Sequence, residues 1–278
     1  SSDSTSPTVE NELSQTNEAI VAMRNRLNMS PEKLANLYVK KVNVLRKMSK
    51  FQEGVSALAQ LREYANQYQL MSHLALADYH EGMILREQGE YRLALPFFES
   101  AAASFAKLED YENQAKSLRR VAYCLRSNGD IKQALEYSIR ALDISKQHNL
   151  DEQIALSLGG LANVYAGIGL YQEALEYDLA QSQYLPLEKT DLEGRANRFF
   201  ALAERYMRLK DYESSKYYFH KALALDQQLN VPVHIGHSLL KLSQAYRRAG
   251  DYAEAMAYAL EAQDIFDNVA IERHVAWA

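Results

Sequence analysis

Apolar positions first take up a helical rhythm at Ile20, Met23 and Leu27, three and four residues apart. The residues before them, 1–16, are polar and rich in Ser, Thr, Glu and Asn, a composition that predicts a disordered lead-in. Ser30-Pro31 then opens a new helix, because a serine hydroxyl can cap and proline is tolerated where the first-turn N–H has no partner anyway. Beyond it the pattern becomes periodic on a longer scale. The segments Ser49-Lys50-Phe51, Gly89-Glu90-Tyr91, Gly129-Asp130-Ile131, Gly169-Leu170-Tyr171, Lys210-Asp211-Tyr212 and Gly250-Asp251-Tyr252 lie 40, 40, 40, 41 and 40 residues apart.

The same residue types recur around each of these turns. A large residue followed by a small one comes eight and seven positions before the turn, as Val121-Ala122, Leu161-Ala162, Leu202-Ala203 and Leu242-Ser243. Leu85, Leu125, Tyr165, Tyr206 and Tyr246 come four before it. Ala94, Ala134, Ala174, Ser215 and Ala255 come five after it, and Ala101, Ala141, Ala222 and Ala262 seven further on. This predicts a helix A and a helix B in every repeat, with Gly stopping the first and Asp or Glu capping the second. Small residues let the two backbones approach, and large ones fill the space between hairpins. No such hairpin buries its apolar face alone, so the hairpins must stack. The expected fold is all-α: a right-handed superhelix, or α-solenoid, of about six antiparallel helix hairpins in one array over residues 17–278. The repeats run about 31–69, 71–108, 111–149, 151–189, 191–230 and 232–269, with a truncated seventh from 270.

These residues resemble the tetratricopeptide repeat (TPR) family, whose motif has the Leu-Gly/Ala pair and Tyr in helix A, Gly-x-Tyr at the turn and two Ala in helix B. The match is good from about 71 to 269. It is weak from 31 to 69, where Lys41-Val42 and Gly54 replace the Leu-Ala pair and the helix B Ala. The 40-residue period is longer than the family's usual 34 and is similar to a subclass that includes kinesin light chains, cell-polarity adaptors, bacterial peptide-pheromone receptors and bacterial sensor regions. The resemblance implies a non-catalytic array that binds peptides, protein segments or small ligands on its concave face. It also makes Glu272-Arg273-His274 the start of an incomplete repeat, which implies a fragment of a longer protein with an output domain beyond it.

Composition narrows the possible functions. A formal charge of −5 argues against nucleic acid, whose phosphates call for a basic surface. One cysteine, Cys124, excludes an internal disulfide or a multi-cysteine metal site. No apolar run reaches the roughly 18 to 20 residues that cross a bilayer. Cytoplasm and periplasm both remain compatible, and a sensor role would favour the periplasm. No Ser-His-Asp order, phosphate loop or zinc motif occurs, so neither an enzyme nor a cofactor is expected.

If the family's geometry holds, helix A positions ten, six, three and two before each turn line the concave face. The candidate binding residues are Tyr79, Arg86, Lys116, Arg119, Tyr123, Arg126, Gly159, Asn163, Phe200 and Glu204. With Arg46, Lys47, Arg208, Arg247 and Arg248, nine basic residues face Glu87 and Glu204, which points to a peptide or protein segment with carboxylate or other anionic groups. Most of these cations sit in the last turn of helix A, where they complement the helix dipole without any ligand. Lys116 and Arg119 do not. Gly159, Gly160 and Gly167 leave one helix bare around Asn163, so either a ligand or a neighbouring side chain approaches there. The tyrosines at repeat positions read as packing, whereas Tyr79, Tyr123 and Phe200 read as ligand contacts. His234 and His237, three apart, lack a third metal ligand nearby. Cys124 reads as a small buried residue. Two readings result: a ligand- or peptide-binding sensor region of a bacterial signalling protein, or a scaffold that binds protein segments.

Overall fold

The computed structural model describes residues 7–26 and 30–275. Among these lie thirteen α-helices, one 3-10 turn and no strand. They are α1 (Pro7–Arg24), α2 (Pro31–Lys47), α3 (Phe51–Gln67), α4 (Met71–Glu87), α5 (Tyr91–Lys107), α6 (Tyr111–Ser127), α7 (Ile131–Gln147), α8 (Asp151–Gly167), α9 (Tyr171–Tyr184), α10 (Leu192–Arg208), α11 (Tyr212–Leu229), α12 (Pro232–Ala249) and α13 (Tyr252–Val275). The chain divides into two compact units, Ser1–Gln153 and Ile154–Ala278, a division that the even repeat does not announce.

The turns follow directly from sequence. Gly129 N–H donates to Arg126 O at 3.0 Å and Asp130 N–H to Leu125 O at 2.9 Å, the bond pair that closes a helix when the residue past its end is left-handed. Gly129 supplies that conformation with φ 86°. The Asp130 carboxylate then accepts from Gln133 N–H at 3.1 Å, so three residues end one helix and start the next. Asp110, Asp191 and Asp211 cap in the same way. Glycine is left-handed at 89, 129, 169 and 250, whereas Ser49, Gln69, Glu109, Asn149, Lys210 and Asn230 hold a similar φ despite their Cβ.

In the N-terminal unit each helix from α1 to α6 packs on its successor. Leu34, Tyr38 and Leu45 of α2, Leu58 and Leu61 of α3, and Ala77 and Ile84 of α4 form a buried cluster, so the degenerate first repeat still builds a complete hairpin. Residues 7–16 are not a disordered lead-in but the first part of α1. Leu13 and Met23 pack on that cluster and Ile20 is buried in it, while the buried Thr16 hydroxyl donates to Glu12 O at 2.7 Å. Three packed apolar residues suffice in a helix of eighteen, because α2 and α3 offer them an apolar surface. Leu27 and residues 1–6 lie outside the described residues. Pro31 takes the first turn of α2 as expected, but the Ser30 hydroxyl turns to Glu32 Oε2 at 2.6 Å rather than capping the backbone.

In the C-terminal unit α9 stops early, at Tyr184, because Pro186 cannot donate and holds Leu185 extended. A 3-10 turn, Leu187–Lys189, spans the gap. Arg195 and Arg198 of α10 donate to the freed carbonyls of Leu187, Thr190 and Leu185 at 2.7 to 3.1 Å. The longer spacing of 41 falls here. Further on, α10 packs on α11, α11 on α12 and α12 on α13, around buried Met207, Phe219, Leu239 and Leu242. The seventh repeat expected from residue 270 does not begin there: α13 runs unbroken for 24 residues, since no glycine or proline follows Gly250 to stop it.

The left-handed turn positions should respond in opposite directions to substitution. At Gly129 an added Cβ meets nothing within 4 Å, so Gly129→Ala should lose about 1 kcal/mol through backbone strain alone. Glu109→Gly should gain about 0.5–1 kcal/mol by releasing the same strain. Urea unfolding checks both, and equal stabilities would mean that the turns relax at no cost.

Candidate functional site

Helix A residues spaced thirteen, ten, six and three before a turn share one face, because these intervals approximate whole turns of 3.6 residues. In the N-terminal unit this face joins α2, α4 and α6. The Tyr123 ring lies between two guanidinium groups, Arg86 at 4.6 Å and Arg126 at 5.3 Å, with the Tyr91 ring at 5.9 Å. The three expected residues Arg86, Tyr123 and Arg126 therefore form one stack. Tyr79 is held from two sides, its ring edge-on to Phe98 at 5.6 Å and its hydroxyl accepting from Arg120 Nε at 3.2 Å.

Deeper on the same face is a concentration of positive charge. Arg119 donates to Gln153 Oε1 at 2.8 Å, its Nε is buried without a partner, and burial pushes its guanidinium down to about 10. Arg46 pairs with Glu87, yet its Nε is also buried and unpartnered. Beside Arg46 and Lys116 sits His80, 6% exposed, with Nδ1 lacking a partner. Burial, followed by the repulsion of Arg46 and Lys116, pushes this imidazole down to about 4 and keeps it neutral. Sequence reasoning passed over His80 and Arg120. Both lie nine residues before their turns, one position beyond the register taken to face inward.

The C-terminal unit treats its expected residues differently. The space left by Gly159 is filled from within: an added Cβ would come 3.2 Å from Gln181 Oε1. Gln181 stands where four other repeats have alanine, and the glycine opposite makes room for it. Asn163 accepts from Arg205 Nη2 at 2.8 Å, so its carbonyl oxygen is engaged. Arg205 Nε also donates to Asp178 Oδ2 at 3.0 Å in a buried pair, and Gln181 Nε2 reaches Asp178 Oδ1 at 3.2 Å. Phe200 packs on the core, edge-on to Phe219 at 5.4 Å, and Glu204 pairs with Lys241 at 2.7 Å. The Asp178–Arg205 pair went unnoticed in the sequence. Its signal was a carboxylate at a position held by Phe98 and Phe219 in other repeats.

Elsewhere, burial pushes the Cys124 thiol up to about 11, which suits a packed residue rather than a nucleophile. Among the described residues no group of His, Cys, Asp and Glu could hold a metal ion, and no helix is long and apolar enough to cross a membrane.

Comparison with known proteins gives a consistent picture. A family model described as tetratricopeptide repeat matches residues 73–147, 113–179 and 195–268. In sequence the chain is 24% identical over 185 residues to tetratricopeptide repeat protein 29 of Trypanosoma brucei brucei, covering 63% of this chain and 37% of that one. It is 28% identical over 159 residues to outer dynein arm-docking complex subunit 4 of Danio rerio, covering 55% and 32%. The chain thus spans about a third of the length of these relatives. Among solved structures, a signal transduction ATPase with a tetratricopeptide repeat sensor from Pyrococcus horikoshii aligns with TM-score 0.70 at 15% identity, over 95% of this chain and 42% of that one. A Rap protein complexed with competence and sporulation factor aligns with TM-score 0.67 at 16% identity, over 94% and 78%. At these identities the structural likeness speaks to the fold alone.

The buried pair in the C-terminal unit can be tested by its pH dependence. Arg205→Ala strands the Asp178 carboxylate and should cost about 3–5 kcal/mol near neutral pH. Burial already pushes Asp178 up to about 6, from 3.8. The folded chain therefore binds this proton more tightly than the unfolded one, and the group's contribution to stability falls as pH rises through that window. The Arg205→Ala penalty should shrink at about pH 5, where protonation neutralises the stranded carboxyl. Denaturant titrations that return the same penalty at about pH 5 and pH 8 would contradict this account.

Proposed function

Because the chain belongs to the tetratricopeptide repeat family, a family of protein-interaction modules, we propose that the helix A face of its N-terminal unit binds a protein segment through a carboxylate. The observation that carries the reading is His80, buried and neutral with an unpartnered Nδ1, beside Arg46 and Lys116. Burial holds this histidine neutral, and the added repulsion of Arg46 and Lys116 marks a concentration of positive charge around it. A carboxylate there would be attracted by Lys116 and Arg119 and would remove the repulsion that opposes protonation of His80. Helix dipoles do not account for this charge, since Lys116, Arg119 and Arg120 lie in the middle of α6. The Arg86, Tyr123 and Arg126 stack borders the site and offers an aromatic edge and two guanidinium groups to the rest of the segment.

The sequence relatives bear the names of eukaryotic repeat and docking-complex proteins, which favours a scaffold that holds protein segments. The bacterial-sensor alternative draws its support from structural neighbours such as the Rap protein complexed with competence and sporulation factor. Both readings use the same face.

A mixed-sequence hexapeptide library with free C-terminal carboxylates, and the same library amidated, provide the test. The carboxylate form should bind at least about tenfold more tightly, lose that advantage in Lys116→Ala, and raise the His80 imidazole value seen by NMR, in keeping with one charged contact of about 1.5–3 kcal/mol. Equal binding of the two libraries would remove the carboxylate from the proposal. Absence of binding by either would remove this face.

A further inference from the structure

Arg46, Arg86 and Arg126 stand in one register at the ends of α2, α4 and α6, forty residues apart. Arg46 has a carboxylate of its own, because Glu87, forty-one positions on, pairs with it. The same step from Arg86 arrives at Ser127, and from Arg126 at Gly167, so the repeat supplies no acid to either. Among the described residues neither guanidinium has a carboxylate partner, and no backbone carbonyl accepts from either side chain. Arg86 Nη1 has the Met83 sulfur at 3.9 Å, while its Nε is buried without a partner. This deficit lies inside the array, since α3, α5 and α7 all pack against α4 or α6.

The helix dipole accounts for arginine in these last turns but not for where the side chains go. Both are drawn to one ring: their guanidinium carbons lie 4.6 and 5.3 Å from the centre of Tyr123. The electron-rich ring offsets part of their mutual repulsion and holds both groups within reach of a single oxyanion. The number of oxygens decides which oxyanion fits. One guanidinium fork is satisfied by the two oxygens of one carboxylate, as Glu87 shows for Arg46 in kind if not in detail. Two forks over one ring call for more oxygens and more charge. A phosphate monoester brings three acceptor oxygens and, at neutral pH, nearly two negative charges.

We propose that Arg86 and Arg126, with Tyr123 beneath them, read a phosphorylated serine or threonine in the protein segment bound on this face. The inference rests on the protein-segment reading above and adds the modification that the partner carries, so that phosphorylation of the partner controls its capture.

The test uses labelled hexapeptides of mixed sequence, amidated at the C-terminus, with phosphoserine, serine or glutamate fixed at the first position and binding followed by fluorescence anisotropy. The phosphoserine set should bind at least about tenfold more tightly than either other set. Ser127→Glu offers Arg86 the internal carboxylate that Arg46 already has and should abolish that advantage, whereas Ser127→Gln, similar in size but uncharged, should retain it. Ser127 is exposed, so both variants should fold. Equal binding of the phosphoserine and serine sets, or of the phosphoserine and glutamate sets, overturns the proposal, as does equal loss in the two Ser127 variants. Inorganic phosphate that competes as strongly as the phosphoserine set would assign the pair to the free anion and overturn it too. Since these peptides have no terminal carboxylate, a failure here leaves the Lys116-dependent preference for free carboxylates to stand or fall on its own measurement.

Discussion

The described helices are too short to be stable by themselves, so within each unit they persist by packing on their neighbours. Helix formation in water is marginal at seventeen residues, and tertiary packing of one face is what makes it persist. The two-sided demand explains the residue pattern. In helix B the small residues Ala94, Ala134 and Ala174 are fully buried, and the large Phe98 and Phe219 pack on Tyr79 and Phe200 of their own helix A. The three-residue turns serve the same constraint, since a left-handed residue followed by an aspartate cap returns the chain at a fixed angle without spare length.

Where a repeat departs from the pattern, the departure is compensated nearby. Gln181 replaces an alanine and meets Gly159; Asp178 replaces an aromatic residue and meets Arg205. The fourth repeat has thereby exchanged part of an apolar contact for a buried polar network that extends to Asn163. Such a network adds little net stability compared with well-packed apolar residues, but it is intolerant of losing a single member. Early termination of α9 at Pro186 has its own compensation in Arg195 and Arg198, which take up the carbonyls that a longer helix would have used.

The proposed binding face lies where compensation is incomplete. In the N-terminal unit, cations of α2 and α6 converge on a neutral buried histidine, and buried nitrogens of Arg46, Arg119 and His80 lack partners. Native chains seldom leave such atoms unpaired, which is the ground for proposing a carboxylate there.

The repeat, the helix boundaries and the turn chemistry were legible in the sequence, because they depend on residues close along the chain and recur at a fixed interval. Gly89, Gly129, Gly169 and Gly250 announce the turns, and the alanines announce the close approaches. Only the second half of α1 was legible, through Ile20 and Met23; residues 7–16 become meaningful only against the surface on which Leu13 packs. The unbroken run of α13 was hidden for a related reason: the period implied a new turn near residue 270, but no residue there stops a helix. The site was half legible. Lys116, Arg119 and Tyr123 stood out by charge and register, yet whether Gly159 opened a groove or admitted Gln181 depended on a side chain arriving from another helix. Sequence periodicity assigns each residue to a face. Only the packed structure decides which faces are covered, which charges find partners and which are left for another molecule, because those outcomes depend on distances between residues that lie some forty positions apart.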